Sequence, residues 1–247
     1  MKKIISLILL TFAYLQMNAQ QLKNVSYQDS KQKLNGMITS NTGKKLPAVL
    51  ILPAWKGINN EAKNAALALE KEGYIAFIAD IYGEGNIPTD NTSAAKIAGS
   101  YKKDYKAYQH RIEVALNELK KQGADTEKIA VIGYCFGGTG ALETARAGFP
   151  VTGVISIHGG LAKDNERVNN PIKTKVLVEH PADDQSVSKA DYDNFIEEMN
   201  ESKADWQIIT YANSGHTFTN PESPDYNKTM TDRAWNHTLL FLSELLK

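Results

Sequence analysis

The segment Gly133-Tyr-Cys-Phe-Gly137 places the single cysteine of this 247-residue chain between two glycines. An apolar run that predicts a strand precedes it, and a predicted helix follows. A nucleophile at such a sharp strand-to-helix turn has a strained backbone, and its glycine neighbours leave room for the turn. The helix dipole and the free amides at the helix N-terminus favour a thiolate. We therefore predict that Cys135 is a nucleophile; the alternative is a buried structural cysteine in a glycine-rich turn.

A thiol nucleophile needs a base, and the base needs an acid that orients it. Asp184 and His216 each lie in a loop after a predicted strand, so both can reach the sheet edge at which Cys135 lies. The order Cys135, Asp184, His216 matches the nucleophile, acid and histidine order of α/β-hydrolases. Asp183 competes with Asp184 for the role of the acid, and either aspartate could instead cap a helix. A solvated loop histidine is the alternative for His216.

Strands and helices alternate along the chain, which predicts an α/β fold with a mostly parallel central sheet flanked by helices on both faces. Predicted strands cover 46–53, 74–80, 129–132, 151–157, 175–179 and 206–211, and predicted helices cover 59–72, 102–121, 187–202, 228–246 and a segment ending near 147. We expect a single domain over 20–247. Within it, 83–101 is the best candidate for a mobile lid or a binding loop.

The composition excludes several classes of protein. The chain has 28 basic and 28 acidic side chains, so its charge gives no reason to expect a nucleic acid partner. One cysteine rules out an intramolecular disulfide, a C-x-x-C redox pair and a multi-cysteine zinc site. At 42% hydrophobic and 23% charged residues, the composition is that of an ordinary globular protein.

Residues 1–19 have the three-part pattern of a secretory signal peptide. Lys2 and Lys3 precede an apolar stretch from Ile4 to Ala13, and Ala19 offers a small residue at the cleavage point. A membrane anchor is the alternative, but the apolar stretch is short for a bilayer and no second one follows. We expect a secreted or periplasmic protein with no membrane span after cleavage.

The sequence resembles the dienelactone hydrolase family over roughly residues 45–246. The motifs that carry the resemblance are Pro53-Ala-Trp-Lys-Gly-Ile-Asn59, Gly73-Tyr-Ile-Ala, Asp80-Ile-Tyr82, Gly133-Tyr-Cys-Phe-Gly-Gly138, Gly215-His-Thr-Phe218 and the terminal segment around Tyr226 and Trp235. The resemblance implies an α/β-hydrolase fold and a Cys-Asp-His triad that uses no metal or organic cofactor. It also implies hydrolysis of a small-molecule ester or lactone through an acyl-thiol intermediate.

The resemblance also implies the other parts of the site. The backbone amides of Phe136 and Trp55 would form the oxyanion hole. We expect substrate contacts from Trp55, Tyr82, Glu84, Tyr134, His158 and Phe218. For His158, which follows a predicted strand, an ordinary turn histidine is an equally good interpretation.

Three positions depart from the family's pattern. Ala54 stands where the family has a glutamate beside the thiol, Glu84 where it has a substrate-binding arginine, and Pro181 where it has a glycine before the acid. A carboxylate at Glu84 would repel an anionic substrate, which disfavours dienelactone itself.

We therefore predict an exported, monomeric hydrolase of carboxylic esters or lactones. The alternatives are a binding protein without catalytic activity on the same scaffold, and a peptidase of the same fold.

Overall fold

The computed structural model describes residues 21–164 and 166–247, so the predicted signal peptide at 1–19 lies outside the described residues. One eight-stranded sheet runs through the described chain, in the order β1-β2-β4-β3-β5-β6-β7-β8. The strands are β1 Lys23–Asp29, β2 Gln32–Ile38, β3 Ala48–Leu52, β4 Ile75–Ile78, β5 Ile129–Tyr134, β6 Gly153–Ile157, β7 Lys175–Pro181 and β8 Trp206–Tyr211. Strands β3 to β8 pair in parallel, and β1 and β2 are antiparallel to their neighbours.

Helices cover both faces of this sheet. They are α1 Asn60–Lys71, α2 Asn91–Lys103, α3 Tyr105–Lys121, α4 Phe136–Arg146, α5 Lys189–Glu201 and α6 Lys228–Leu246. Side chains alternate between the faces along each strand. In β3, Leu50 and Leu52 pack under α2 to α5, whereas Val49 and Ile51 pack under α1 and α6. The predicted fold class, a mostly parallel sheet between helical layers, is confirmed.

Two sequence predictions need correction around the second and third helices. Most of the segment 83–101, predicted as a loop, belongs to α2, and the helix predicted over 102–121 starts only at Tyr105. Asp90 caps α2 through a capping box with Ser93, and Asp104 both ends α2 and caps α3 by accepting from the amide of Ala107. Asp104 thus sets the boundary between α2 and α3, and it delays the start of α3 to Tyr105 from the predicted 102.

The sequence prediction missed the hairpin of β1 and β2. Its buried side chains, Tyr27, Leu34 and Ile38, are separated by polar residues along the strands. The hairpin therefore lacks the continuous apolar run by which the buried parallel strands were found. Within residues 21–164 and 166–247, no helix is long and apolar enough to cross a membrane.

Glycines allow α4 to approach the sheet closely. A Cβ at Gly137 would lie 2.0 Å from the carbonyl oxygen of Leu52, and a Cβ at Gly133 would lie 1.9 Å from the carbonyl oxygen of Gly137. No side chain fits at either position without moving backbone. This contact holds the start of α4, and the Cys135 that precedes it, against the ends of β3 and β5.

Gly137→Ala tests this packing. Alanine normally stabilises a helix, but here its methyl group must displace the backbone of β3, so we expect a loss of about 1–3 kcal/mol in the free energy of unfolding. Gly99→Ala is the matched control, since a Cβ there meets nothing within 4 Å. It should stabilise α2 by about 0.5–1 kcal/mol. Urea unfolding followed by circular dichroism measures both; equal midpoints for Gly137→Ala and the wild type would contradict the packing argument.

Candidate active site

Cys135 occupies the turn between β5 and α4 in a strained backbone conformation, with φ 53° and ψ −112°. A positive φ in a residue other than glycine costs about 1–3 kcal/mol and persists only where the surroundings enforce it. Here the amide of Cys135 donates to the carbonyl oxygen of Ile157 at 3.1 Å and to Nδ1 of His158 at 3.0 Å. The end of β6 therefore fixes the peptide that carries the thiol.

The structure brings the three predicted triad residues together. Nε2 of His216 lies 3.2 Å from Sγ of Cys135, and Nδ1 of His216 lies 2.8 Å from Oδ2 of Asp184. Asp184 follows β7, and His216 lies in the loop after β8. The carboxylate is fully buried, whereas the imidazole is partly open to solvent. A substrate can thus reach the sulfur and the ring without displacing the acid.

Asp184, and not Asp183, is the aspartate that meets the histidine. The side chain of Asp183 is exposed, and its amide donates to the carbonyl oxygen of Ser214. Oδ1 of Asp184 accepts from the amide and the hydroxyl of Ser186, at 2.8 and 2.6 Å. Sequence reasoning missed Ser186, whose hydroxyl also lies 3.0 Å from Nδ1 of His216. The available signal was the Asp-x-Ser spacing, which is typical of an Asx-turn.

The contact between Asp184 and His216 shifts the pKa values of the two side chains in opposite directions. Burial raises the pKa of Asp184, but hydrogen bonds from His216 and Ser186 outweigh it and lower that pKa to about 2. Burial lowers the pKa of His216, whereas hydrogen bonds and charge interactions with Asp184 and Cys135 raise it to about 10. Near neutral pH the ring is therefore an imidazolium beside an ionised carboxylate.

Two backbone segments adjoin at the predicted oxyanion hole. Phe136 is the first residue of α4, so no preceding helical turn accepts a hydrogen bond from its amide. Leu52 pairs with Gly133, so the loop after β3, which contains Trp55, lies beside the turn after β5. The carbonyl oxygen of Trp55 accepts from the hydroxyl of Tyr82 at 2.8 Å, which ties this loop in place.

Of the predicted substrate contacts, Tyr82 and Glu84 differ in position. Tyr82 is buried with its ring stacked on Phe136, and burial together with the nearby Cys135 raises its pKa, so the phenol remains a donor. Glu84 is exposed and forms an ion pair with Lys33 at 3.0 Å. Its backbone also pairs with Gln32 and Lys33 at the start of β2. The carboxylate expected to repel anions is thus turned towards a lysine.

Tyr134, His158 and Phe218 are buried behind the nucleophile. The His158 ring lies under the turn that carries Cys135, and Phe218 packs edge-on against it with ring centres 6.0 Å apart. Tyr134 borders a separate cavity between α1 and α6. None of the three side chains lines the cavity that adjoins the triad.

A cavity of about 440 Å³ opens next to the triad and includes Ser186 and Thr139 in its wall. The amide of Thr139 donates to the carbonyl oxygen of Cys135, so this wall continues directly from the nucleophile. The remaining lining combines tyrosines with charged side chains of both signs: Tyr101, Lys102, Lys103, Tyr105, Tyr108, Glu143, Lys163, Asp164, Arg167 and Asp191. Across the described part of the chain, no three His, Cys, Asp or Glu side chains are grouped as metal ligands would be.

Comparison with known proteins gives one consistent result. A profile of the "Dienelactone hydrolase family" matches residues 34–246. A Bradyrhizobium protein named "Probable 2-oxo-3-(5-oxofuran-2-ylidene)propanoate lactonase" is 28% identical over 210 residues, which cover 80% of this chain and 84% of the relative.

Several solved structures are similar over almost their full length, as one example shows. The crystal structure of a dienelactone hydrolase-like promiscuous phosphotriesterase from metagenomic libraries is 31% identical, with a TM-score of 0.85. The match covers 92% of this chain and 99% of that one.

Asp184→Asn tests the electrostatic coupling. Because the pKa of His216 lies above its ordinary value of 6.5, protonation of the ring stabilises the fold fully below pH 6.5, and this contribution disappears as the pH rises through about 10. Removing the carboxylate should lower the pKa of His216, so the contribution should disappear at lower pH. An NMR titration of the His216 ring measures the shift.

Asp183→Asn is the matched control, because it removes a neighbouring exposed carboxylate. Its titration curve for His216 should follow that of the wild type. A curve for Asp184→Asn that coincides with the wild type would show that the carboxylate does not set the pKa of the ring.

Proposed function

The chain belongs to the dienelactone hydrolase family, and from that membership we propose that it hydrolyses carboxylic esters or lactones through an acyl-thiol intermediate on Cys135. The observation that carries the proposal is the continuous contact of thiol, imidazole and carboxylate, at 3.2 and 2.8 Å. The strained turn at Cys135 supports it further, because such strain is characteristic of functional residues.

The first half of the proposed reaction forms the acyl-enzyme. The thiolate of Cys135 attacks the carbonyl carbon, and the electron pair of the C=O bond moves onto oxygen. The amides of Phe136 and Trp55 stabilise that oxyanion by donating hydrogen bonds to it. When the carbonyl re-forms, the C–O bond to the leaving group breaks, and Nε2 of His216 gives its proton to the departing alkoxide.

The second half releases the acid. His216, now neutral, accepts a proton from water as the water attacks the thioester carbonyl, and the C–S bond then breaks to restore the thiolate and imidazolium. Asp184 and Ser186 hold Nδ1, so Nε2 keeps facing the sulfur through both steps. An alkoxide leaves more easily than an amine, which favours ester over peptide substrates.

The cavity supports a compact, partly aromatic acyl compound as the substrate. Tyrosine rings offer apolar surface, and the lysines of the lining, such as Lys102, are balanced by acidic side chains such as Asp164 and Asp191, so the lining favours no strongly charged substrate. The ion pair of Glu84 with Lys33 reduces the repulsion expected from that carboxylate. The Bradyrhizobium relative is named for cleaving a lactone, so lactones belong in the first substrate panel.

The proposal also includes export of the mature chain from the cytoplasm. Residues 1–19 have the pattern of a signal peptide, so we propose that the mature chain acts in the periplasm or outside the cell. Expression of the full chain followed by N-terminal sequencing of the exported fraction should give Gln20 as the first residue. A chain that remains in the cytoplasmic fraction with Met1 or Lys2 at its N-terminus would refute export.

Cys135→Ala tests the nucleophile. Loss of the sulfur removes the covalent route, so kcat/KM for short acyl esters and lactones should fall by at least about 10³-fold. Circular dichroism and thermal melting of the variant check that the fold is retained. Mass spectrometry of the wild type after mixing with an activated ester should show the acyl mass on Cys135.

The same substrate panel distinguishes the proposed hydrolase from a binding protein and from a peptidase. A variant that keeps wild-type ester rates would overturn the assignment of Cys135. A wild-type protein that binds esters without turning them over would favour a binding protein, and faster cleavage of amides than of matched esters would favour a peptidase.

A further inference from the structure

A buried chain of hydrogen bonds runs behind the nucleophile from Glu61 through Thr219 and His158 to the amide of Cys135. We propose that this chain sets the tautomer of His158 and thereby holds the nucleophile turn in its reactive conformation. The proposal rests on the function proposed above, since it gives these residues a positioning role for a catalytic Cys135. It concerns side chains that do not face the substrate cavity.

The contacts are short and continuous. The hydroxyl of Thr219 lies 2.6 Å from Oε1 of Glu61 and 2.8 Å from Nε2 of His158. Nδ1 of His158 accepts from the amide of Cys135 at 3.0 Å. Glu61, Thr219 and His158 are all less than one-tenth exposed. The chain therefore joins α1, the loop after β8, the end of β6 and the nucleophile turn in a site shielded from bulk water.

The carboxylate at one end and the backbone amide at the other fix the direction of every bond in this chain. Burial raises the pKa of Glu61, but the His158 ring, with Nε2 3.7 Å from Oε1 of Glu61, and the hydrogen bond from Thr219 outweigh it and lower that pKa overall, so the charged form of Glu61 is favoured. An ionised carboxylate can only accept, so Thr219 must donate its proton to Glu61. The hydroxyl oxygen then accepts from Nε2–H of His158, and the amide of Cys135, which can only donate, requires that Nδ1 carry no proton. Only this tautomer can accept from the amide of Cys135.

The tautomer matters because the other one would place two N–H groups against each other. With a proton on Nδ1, His158 would repel the amide of Cys135, and the strained peptide at φ 53° would lose one of its two acceptors. Relaxation of that peptide would move both Sγ and the amide of Phe136. The His158 ring also packs edge-on against His216, with ring centres 5.4 Å apart, so it supports the proposed base as well.

A second buried pair in the same region makes a matched comparison. Thr238 donates to Oε1 of Glu179 at 3.1 Å, and both residues border the same cavity of about 240 Å³ as Glu61 and Thr219. Burial raises the pKa of Glu179 well above its ordinary value and so disfavours its charged form. The pair has the same chemistry of hydroxyl and carboxyl group but does not contact the nucleophile turn.

Three threonine variants test the proposal kinetically. Thr219→Val keeps the shape of the side chain and removes the hydroxyl, so kcat for a short acyl ester should fall roughly 10- to 100-fold with little change in KM. Thr219→Ser restores the hydroxyl and should recover most of that loss. Thr238→Val should leave both constants unchanged. Equal kcat for Thr219→Val and the wild type, or equal losses in Thr219→Val and Thr219→Ser, would overturn the proposal.

The tautomer can be read directly by ¹⁵N NMR of histidine-labelled protein. The wild type should show His158 protonated on Nε2 and bare on Nδ1, and Thr219→Val should populate the other tautomer. A wild-type spectrum with the proton on Nδ1 would overturn the proposal even if the valine variant fails to fold. Cys135→Ala separates the two proposals, because full ester activity in that variant would refute the catalytic role of Cys135, while the spectrum still reports on the hydrogen-bonded chain.

Discussion

The close approach of α4 to β3 is the constraint on which the rest of the site depends. Because Gly137 lies against the backbone of Leu52, the first turn of α4 reaches the carboxyl edge of the sheet. Cys135 must then connect β5 to α4 in a single strained residue. His158, Asp184 and His216 follow β6, β7 and β8, and they meet around the position of Cys135 that this packing fixes.

Three buried carboxyl groups surround this point, and their surroundings give them different states. Asp184 is ionised because three hydrogen bonds from Ser186 and His216 outweigh burial. For Glu61, the nearby His158 ring and the hydrogen bond from Thr219 outweigh burial and lower the pKa. Glu179 is the most deeply buried of the three and accepts only from Thr238, so burial raises its pKa well above the ordinary value. The balance between burial and neighbouring groups therefore decides which carboxyl group around the two histidines favours its charged form.

The sequence allowed the central site to be predicted because Cys135, Asp184 and His216 each follow a strand with a clear apolar signal. Glycine spacing added the nucleophile turn. The hairpin of β1 and β2 could not be found in the same way, because its inward side chains alternate with polar ones. Glu84 forms its ion pair with Lys33, which lies in that hairpin. The neutralisation of this carboxylate could therefore not be predicted from the sequence either.

The sequence also failed to predict helix α2 and the inward orientation of His158, and both failures have local causes. Helix α2 buries only Ala94 and Ala98, which leaves too weak an apolar stripe to predict it against a loop background. For a residue just after a strand, the sequence does not reveal whether the side chain faces the open edge or the interior. His158 faces the interior, and its role depends on contacts with residues far away in the chain, such as Thr219 and Glu61.

Helix α2 separates the chemistry of this protein from its selectivity. It carries Tyr101 and Lys102 into the wall of the cavity, and it rests on the body of the protein through Ala94, Ala98 and the Tyr101 ring, which packs against Phe136. Changes at exposed positions such as Lys102 alter the charge presented to a substrate without changing the packing around the triad, whereas changes at Tyr101 would alter that packing too. Gene duplication followed by drift in this one helix is therefore a short evolutionary route to new substrates, and the same helix is the natural region to randomise in a directed-evolution library.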